Sequence, residues 1–459
     1  MTFGPIHDKP KQRLFSTYDL EWTPSHSPEK ARAIGLEPLQ VRLVGCYDGE
    51  RYRAYRDIGD FLRAALTRKN HNRWFFAHAG GLYDVQFILE WLIKHAPTAF
   101  RISAALSASS AIIVKIEKGR QCWYFVDSFW LLRTSLRKIG AWIGMAKGGA
   151  EGKTDIFWAP LSELITYNEQ DCKILWHAIA QLESIVLSLG GQLEKTAAST
   201  AMSLFRRAYL KREIVTTPEV NEIARSAYIA SRVEPFERVA ENAWSWDINS
   251  SFPYAMTFPA PGNMVLEDKR LPDSGLYVAD VEVYQPPANI PVLPVRGGKD
   301  GRVYFPTGRW RGWYSDTDCR FLEEAGGRIE HVHRVMHFEP FDDFSRYATD
   351  LYEKRKESND DGFKQITKIL LNSLYLWEDS GSRKKVAAVG QPSERGAGSA
   401  RLCPREPRKA VYSPRHLGGR RGARGSSRAC ADRDEHHRHR SPHPGSLFDR
   451  RPASLLLRH

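Results

Sequence analysis

Four acids are spaced so that they could share divalent cations. Asp19 and Glu21 stand in Asp19-Leu20-Glu21, and the two-residue period of a strand puts both carboxylates on one face. Asp84 follows the paired glycines Gly80-Gly81 and opens a helical pattern. Asp171 ends the string Tyr167-Asn168-Glu169-Gln170-Asp171, so Tyr167 and Asp171 share a helix face. Oxygen ligands of this kind suit Mg2+, with Mn2+ able to substitute. Two cations so held could hydrolyse a phosphodiester. One would orient and activate a water, the other would stabilise the leaving 3′-oxygen, and a phenol such as Tyr167 would position the water. Either short string alone reads as well as a solvated strand edge or helix surface. The order of the three strings over about 150 residues is what carries weight.

These side chains need rigid elements behind them. Residues 14–92 read as strands followed by a helix, and 111–126 read as a hairpin turning at Lys118-Gly119-Arg120. Residues 161–185 read as one amphipathic helix. The alternation predicts an α/β first domain over 1–190. Residues 191–240 read as mostly helical. A strand near Ala243-Trp-Ser-Trp-Asp-Ile248 should run into a helix at Ser250-Ser-Phe-Pro-Tyr-Ala-Met256. Pro- and Gly-rich residues 258–310 suggest a β-rich insertion. Residues 341–376 suggest a long helical stretch broken at Asn359-Asp-Asp-Gly362.

Asp19-x-Glu21, then His78-Ala-Gly-Gly-Leu-Tyr-Asp84, then Tyr167-x-x-x-Asp171 resembles the three motifs of proofreading exonucleases with an RNase-H-like fold. The resemblance implies metal ligands at Asp19, Glu21, Asp84 and Asp171, and a single-strand contact at His78. Ser135-Leu136 is similar to the family's single-strand-binding Ser/Thr-Leu motif, and Lys153 to a lysine near the exonuclease site. Where the family usually has Asn after the histidine, this chain has Ala79.

Further along, Trp246-Asp247-Ile-Asn-Ser-Ser-Phe252-Pro-Tyr254 resembles motif A of family B DNA polymerases. The likeness implies that Asp247 holds catalytic Mg2+ and that Phe252 is a steric gate beneath the sugar. Lys368-Ile-Leu-Leu-Asn372-Ser-Leu-Tyr375 matches motif B. On a helix Lys368, Asn372 and Tyr375 share a face, and the resemblance makes them nucleotide ligands with Arg355 and Lys356 beside them. Tyr228-Ile-Ala-Ser-Arg232 is similar to the template-binding linker of the protein-primed subgroup, where Tyr228 and Arg232 would meet DNA. The expected fold is an α/β exonuclease domain of RNase-H-like fold over 1–190. An incomplete α+β polymerase palm and fingers follows over 191–380, with an insertion at 257–340, and 381–459 is expected to be a disordered tail. Implied partners are template and primer DNA, dNTPs and a terminal protein.

Tyr314-Ser-Asp316-Thr-Asp318 looks like the remaining palm motif, Tyr-x-Asp-Thr-Asp, but precedes motif B instead of following it. We read it as a helix cap with a glycine stop beyond.

Composition narrows the field without naming a substrate. The six cysteines form no Cys-x-x-Cys pair, and no apolar run is long enough to span a bilayer, so a cytosolic protein away from membranes is expected. The net charge of +13 lies wholly in residues 381–459, which hold 19 Lys+Arg and 6 Asp+Glu; the first 380 residues hold 48 of each sign. That tail has 16 Arg and no Ile, Thr, Asn, Met or Trp. This is what a GC-rich gene read out of frame after Tyr375 would yield, and a frame shifted by one base permits Asp-Thr-Asp across Arg438–Ser441. The alternatives to a polymerase with proofreading are an exonuclease alone or an inactive nucleic-acid-binding remnant.

Overall fold

A computed structural model of the chain describes residues 2–380 and 386–389, apart from positions 26, 97, 108–109, 148–155, 230–231, 233, 235–238, 240–241, 243, 249, 289 and 298–300; for 376–380 and 386–389 the backbone alone is described. The first strands are β1 (Phe15–Trp22), β2 (Val41–Tyr47), β3 (Tyr52–Tyr55), β4 (Trp74–Ala77), β5 (Arg101–Leu106), β6 (Ala111–Lys118) and β7 (Gln121–Asp127). A second group comprises β8 (Ala260–Asp268), β9 (Leu276–Gln285), β10 (Gly308–Ser315) and β11 (Arg328–Phe341), and β12 (Val386–Val389) comes last. Helices that matter to the sites are α1 (Asp84–His95), α2 (Leu136–Trp142), α3 (Leu161–Ser188), α4 (Ser251–Ala255), α5 (Asp316–Glu324), α6 (Asp343–Glu357) and α7 (Asp361–Ser380).

Eight strands make one sheet in the order β12-β5-β6-β7-β4-β1-β2-β3. The run from β3 to β1 is antiparallel, whereas β4 lies parallel to both β1 and β7. This is the RNase-H-like arrangement. Strand β4 is buried along its whole length and β1 nearly so, as expected for central strands covered on both faces. Helix α3 packs on this sheet through Ile174, Leu175, Ile179 and Leu182. The same core continues into Phe205, Leu351, Leu370 and Leu374.

Within residues 260–341 lies a four-stranded antiparallel sheet, ordered β8-β11-β9-β10. The expected helical stretch is α6 and α7, interrupted where Asp360 accepts from the Gly362 and Phe363 N–H groups and restarts the helix.

One expected element is not there. Residues 244–248 are irregular, and Trp244 and Trp246 are 86% and 90% exposed. A strand needs a hydrogen-bonded neighbour, and among the described residues no strand pairs with this segment. Within the tail, residues 386–389 pair antiparallel with β5; the rest of 381–459 lies outside the described residues. Among the described residues no helix is long and apolar enough to cross a membrane.

Candidate functional site

Four carboxylates gather around β1. Asp84 is the first residue of α1, and its Oδ1 accepts from the Leu20 N–H at 2.9 Å. The peptide between Asp19 and Glu21 is thereby tied to the third acid. Asn168 of α3 donates to Asp19 Oδ2 at 3.2 Å and to Glu21 Oε1 at 3.3 Å. Asp171, one turn further along α3, accepts from Lys147 Nζ at 2.7 Å through Oδ2. The Lys147 ammonium also lies 5.2 Å from the centre of the Tyr167 ring.

Burial and mutual repulsion make these acids reluctant to ionise together. Desolvation, opposed by the Asn168 hydrogen bond and reinforced by Asp171 and Asp84, pushes Glu21 up to about 7. Desolvation also pushes Asp84 up to about 7, against the Leu20 N–H, which favours its anion. Asp19 is raised well above the carboxylate range by burial, Glu21 and Asp84. Burial raises Asp171 even though Lys147 sits on it.

Among the described residues, no three His, Cys, Asp or Glu side chains converge on a single point. The acids sense one another, but Asn168 spans one pair and Lys147 occupies the fourth. The donor set still fits Mg2+. It is oxygen throughout, it accumulates negative charge, and Asp171 Oδ1 is buried with no hydrogen-bond partner. Gathering three donors on one ion requires side-chain rotation.

The loop before Asp84 is held by a carboxylate outside this set. Asp127, at the end of β7, accepts from the Gly81 N–H at 3.2 Å and the Phe129 N–H at 2.9 Å. A Cβ on Gly81 would lie 1.9 Å from the Ala111 carbonyl oxygen, so only glycine fits. Ala79 adopts φ +58°, a left-handed conformation that Asn or Gly takes more readily. His78 meets Ser128 Oγ at 3.0 Å through Nδ1 and the Thr134 carbonyl at 2.8 Å through Nε2. Both ring nitrogens thus have partners within the protein. Desolvation lowers the ring to about 4, so it is neutral at physiological pH. Ser135 caps α2 by accepting from the Lys138 N–H, and Leu136 packs at the edge of the core.

Asp247 is exposed on the irregular segment. Phe252, on α4, stacks on Tyr375 of α7 with ring centroids 4.3 Å apart. Tyr375 OH lies 2.6 Å from Tyr228 OH, joining linker, α4 and α7. Lys368 is exposed and Asn372 half-buried on the same face of α7, opposite buried Ile366, Leu370 and Leu374. Arg355 is half-buried and Lys356 exposed in the last turn of α6. Arg232 is engaged by Glu234, the Pro291 carbonyl and the Phe305 ring, so it faces the insertion.

The Ser315–Asp318 string is a capping box at the start of α5. Asp318 N–H donates to Ser315 Oγ, and Asp318 Oδ2 accepts from the Ser315 N–H, both at 3.2 Å. Gly326 follows at φ +80°.

Sequence reasoning missed Lys147. It named Lys153, which lies outside the described residues together with Ala230 and Ser231 of the linker string. Nothing in the spacing separates the two lysines. It also passed over Asn168 and three aromatics flanking the carboxylates. Trp22 follows Glu21 and stacks on Tyr83, the residue before Asp84, at 5.7 Å; Phe87 lies 5.3 Å from Trp22. Their adjacency to two metal-ligand candidates was the available signal.

The description "DNA polymerase type B, organellar and viral" matches residues 149–375. A probable DNA polymerase of Neurospora intermedia is 27% identical over 242 residues, covering 48% of this chain and 25% of that protein. One of Podospora anserina is 29% identical over 191 residues, covering 39% and 15%. The chain thus spans a quarter or less of the length of these relatives. Among solved structures, Phi29 DNA polymerase complexed with primer-template DNA and incoming nucleotide substrates aligns with a TM-score of 0.62 at 16% identity, over 79% of this chain and 68% of that one. Phi29 DNA polymerase in its post-translocation binary complex with primer-template DNA gives 0.58 at 18% identity, over 79% and 67%. At these identities the likeness establishes the fold.

Proposed function

Because the chain belongs to the organellar and viral type B DNA polymerase family, we propose that it acts on DNA at two places: a 3′–5′ exonuclease site on the eight-stranded sheet, and a nucleotide-binding half-site where Phe252 meets Tyr375. The exonuclease domain is residues 1–190 and the partial polymerase domain 191–380, with 257–340 as its insertion. The observation that carries the reading is the gathering of Asp19, Glu21, Asp84 and Asp171 around one strand, with Lys147 and Tyr167 beside them.

Asp19, Glu21, Asp84 and Asp171 would hold Mg2+, which when bound supplies an activated water and stabilises the leaving 3′-oxygen. Tyr167 orients that water, and Lys147 places positive charge beside Asp171. Trp22, Tyr83 and Phe87 offer ring faces on which the last bases of a single strand stack. Ser135 and Leu136 flank the path of that strand.

In the other half-site, Lys368, Arg355 and Lys356 meet the triphosphate, Asn372 and Tyr375 line the base, and Phe252 lies under the sugar. Asp247 is the palm ligand for Mg2+. Tyr228 and Arg232 belong to the template side. Primer-template DNA and dNTPs are the substrates, a terminal protein is the proposed priming partner, and the cytosol of a host cell is the proposed setting.

A second reading, exonuclease alone, is favoured by the exposure of Asp247 on an irregular segment. Two assays test these readings. Asp19→Ala with Glu21→Ala should abolish Mg2+-dependent 3′–5′ degradation of single-stranded DNA in a chain that stays folded. Degradation at the parental rate would remove the metal assignment. Primer extension by the parent chain would discard the second reading.

A further inference from the structure

Asn168 is fully buried, and its amide reaches two of the candidate metal ligands. The nitrogen Nδ2 lies 3.2 Å from the main-chain carbonyl of Asp19, 3.2 Å from Asp19 Oδ2 and 3.3 Å from Glu21 Oε1. A carbonyl oxygen can only accept, so the NH2 must face β1 whatever the protonation of the acids. The other end agrees. Oδ1 accepts from Tyr52 OH at 3.0 Å and faces the Cys172 thiol at 3.7 Å.

Space for this amide is built into the facing strand. A Cβ on Gly45 would lie 1.7 Å from Asn168 Oδ1 and 2.7 Å from the Tyr52 hydroxyl oxygen. Gly45 pairs directly with Asp19 across β1 and β2. Four elements therefore cooperate to aim one neutral donor at two neighbouring acids.

We infer that Asn168 is a positioning residue of the exonuclease centre, an amide that holds Asp19 and Glu21 in register for a divalent cation; this rests on the exonuclease reading above. The chemistry favours an amide. An ammonium in the same place would compete with the cation, and a carboxylate would add a further negative charge. An amide takes one oxygen of each acid and leaves the other for the metal. Outer-shell donors of this kind typically govern metal affinity by 10–100-fold.

The test is Mn2+ binding by electron paramagnetic resonance on the full chain, with folding followed by circular dichroism. Asn168→Leu should weaken Mn2+ binding by roughly 10–100-fold while the fold persists. Saturating Mn2+ should restore most of its hydrolytic rate, a recovery that a merely structural residue would not give. Gly45→Ala should reproduce the loss, and Tyr52→Phe should give a smaller one. Mn2+ affinity unchanged in folded Asn168→Leu overturns the inference. Should that variant fail to fold, Tyr52→Phe decides, since it removes a single hydroxyl, and an unchanged affinity there overturns the inference equally. Asp19→Ala with Glu21→Ala separates the two levels. If that variant binds Mn2+ as the parent does, the exonuclease reading itself fails and the role of Asn168 falls with it.

Discussion

Phe252 and Tyr375 lie face to face, with ring planes inclined by 24°, although 122 residues separate them in the chain. The contact joins the short helix after Asp247 to the helix of Lys368. The phenol of Tyr375 in turn bonds that of Tyr228. The three aromatics should therefore respond as a unit. Tyr228→Phe and Tyr375→Phe each remove the same hydrogen bond, so their effects should not add. A double-mutant cycle in thermal melts should return a coupling of roughly 0.5–1 kcal/mol. Phe252→Ala should cost about 1 kcal/mol more than its lost area alone predicts. Strict additivity of the two tyrosine changes would remove the shared bond.

Ala79 predicts a stabilising substitution. Its left-handed backbone costs an alanine about 1 kcal/mol relative to a residue that tolerates positive φ. Ala79→Gly and Ala79→Asn should each raise the melting temperature by a few degrees. A lower melting temperature for both would show that the loop is shaped by something other than this torsion.

Most of the eight-stranded sheet was legible because its signals are local. Asp19 and Glu21 are two apart on a strand, Tyr167 and Asp171 four apart on a helix, and the hairpin turns where Gly119 takes φ +59°. Lys147 and Asn168 were not legible, because their roles depend on which side chains the fold brings opposite them. The strand expected at 243–248 failed for a related reason. Its alternation of Trp244, Trp246 and Ile248 suits a strand, but a strand forms only against a neighbour, and sequence pattern does not supply one. The partners of Arg232, Glu234 and the Phe305 ring, were likewise not legible, because the fold alone brings Phe305 to it.

His78 should give the fold an acid limb. Its pKa is depressed to about 4 from the ordinary 6.5, chiefly by desolvation. The neutral ring therefore contributes stability that is fully present above pH 6.5 and lost progressively as pH falls toward 4. The total is on the order of 3 kcal/mol. Melting curves from pH 7.5 to 4 should fall more steeply for the parent than for His78→Gln. Parallel curves would mean that the ring is protonated without cost.

The carboxylates predict the opposite slope. Glu21 and Asp84 are raised to about 7, so the stability they contribute is present below their unfolded values near 4 and is lost as pH rises through 7. A divalent cation counters that loss by neutralising the anions. The rise in melting temperature on adding Mg2+ should therefore be larger at pH 8 than at pH 5.5. Asp19→Asn with Glu21→Gln should raise the metal-free melting temperature at pH 8 and blunt the Mg2+ response. A Mg2+ effect independent of pH, or retained in the double variant, would place the cation elsewhere.

The last prediction is that this 459-residue chain degrades single-stranded DNA but extends a primer little or not at all. In-line attack on a triphosphate needs two cations held in fixed geometry, and a single acid cannot hold both. Asp247 is exposed on an irregular segment, and Asp316 and Asp318, which resemble the other palm motif, belong to a helix cap. Asp316→Asn with Asp318→Asn should accordingly leave metal binding unchanged and cost stability at α5. The similarity to the family stops at Tyr375, shortly before the composition turns Arg-rich and loses Ile, Thr, Asn, Met and Trp. Our reading is that the frame shifts there. Sequencing the gene tests it: the frame one base later should encode Gly and a basic residue just after Tyr375, and Asp-Thr-Asp across the codons of Arg438–Ser441. Repairing that frame should then confer primer extension, abolished again by Asp247→Asn. Stop codons in the shifted frame, or robust extension by the chain as it stands, would refute the frame shift or the need for those acids.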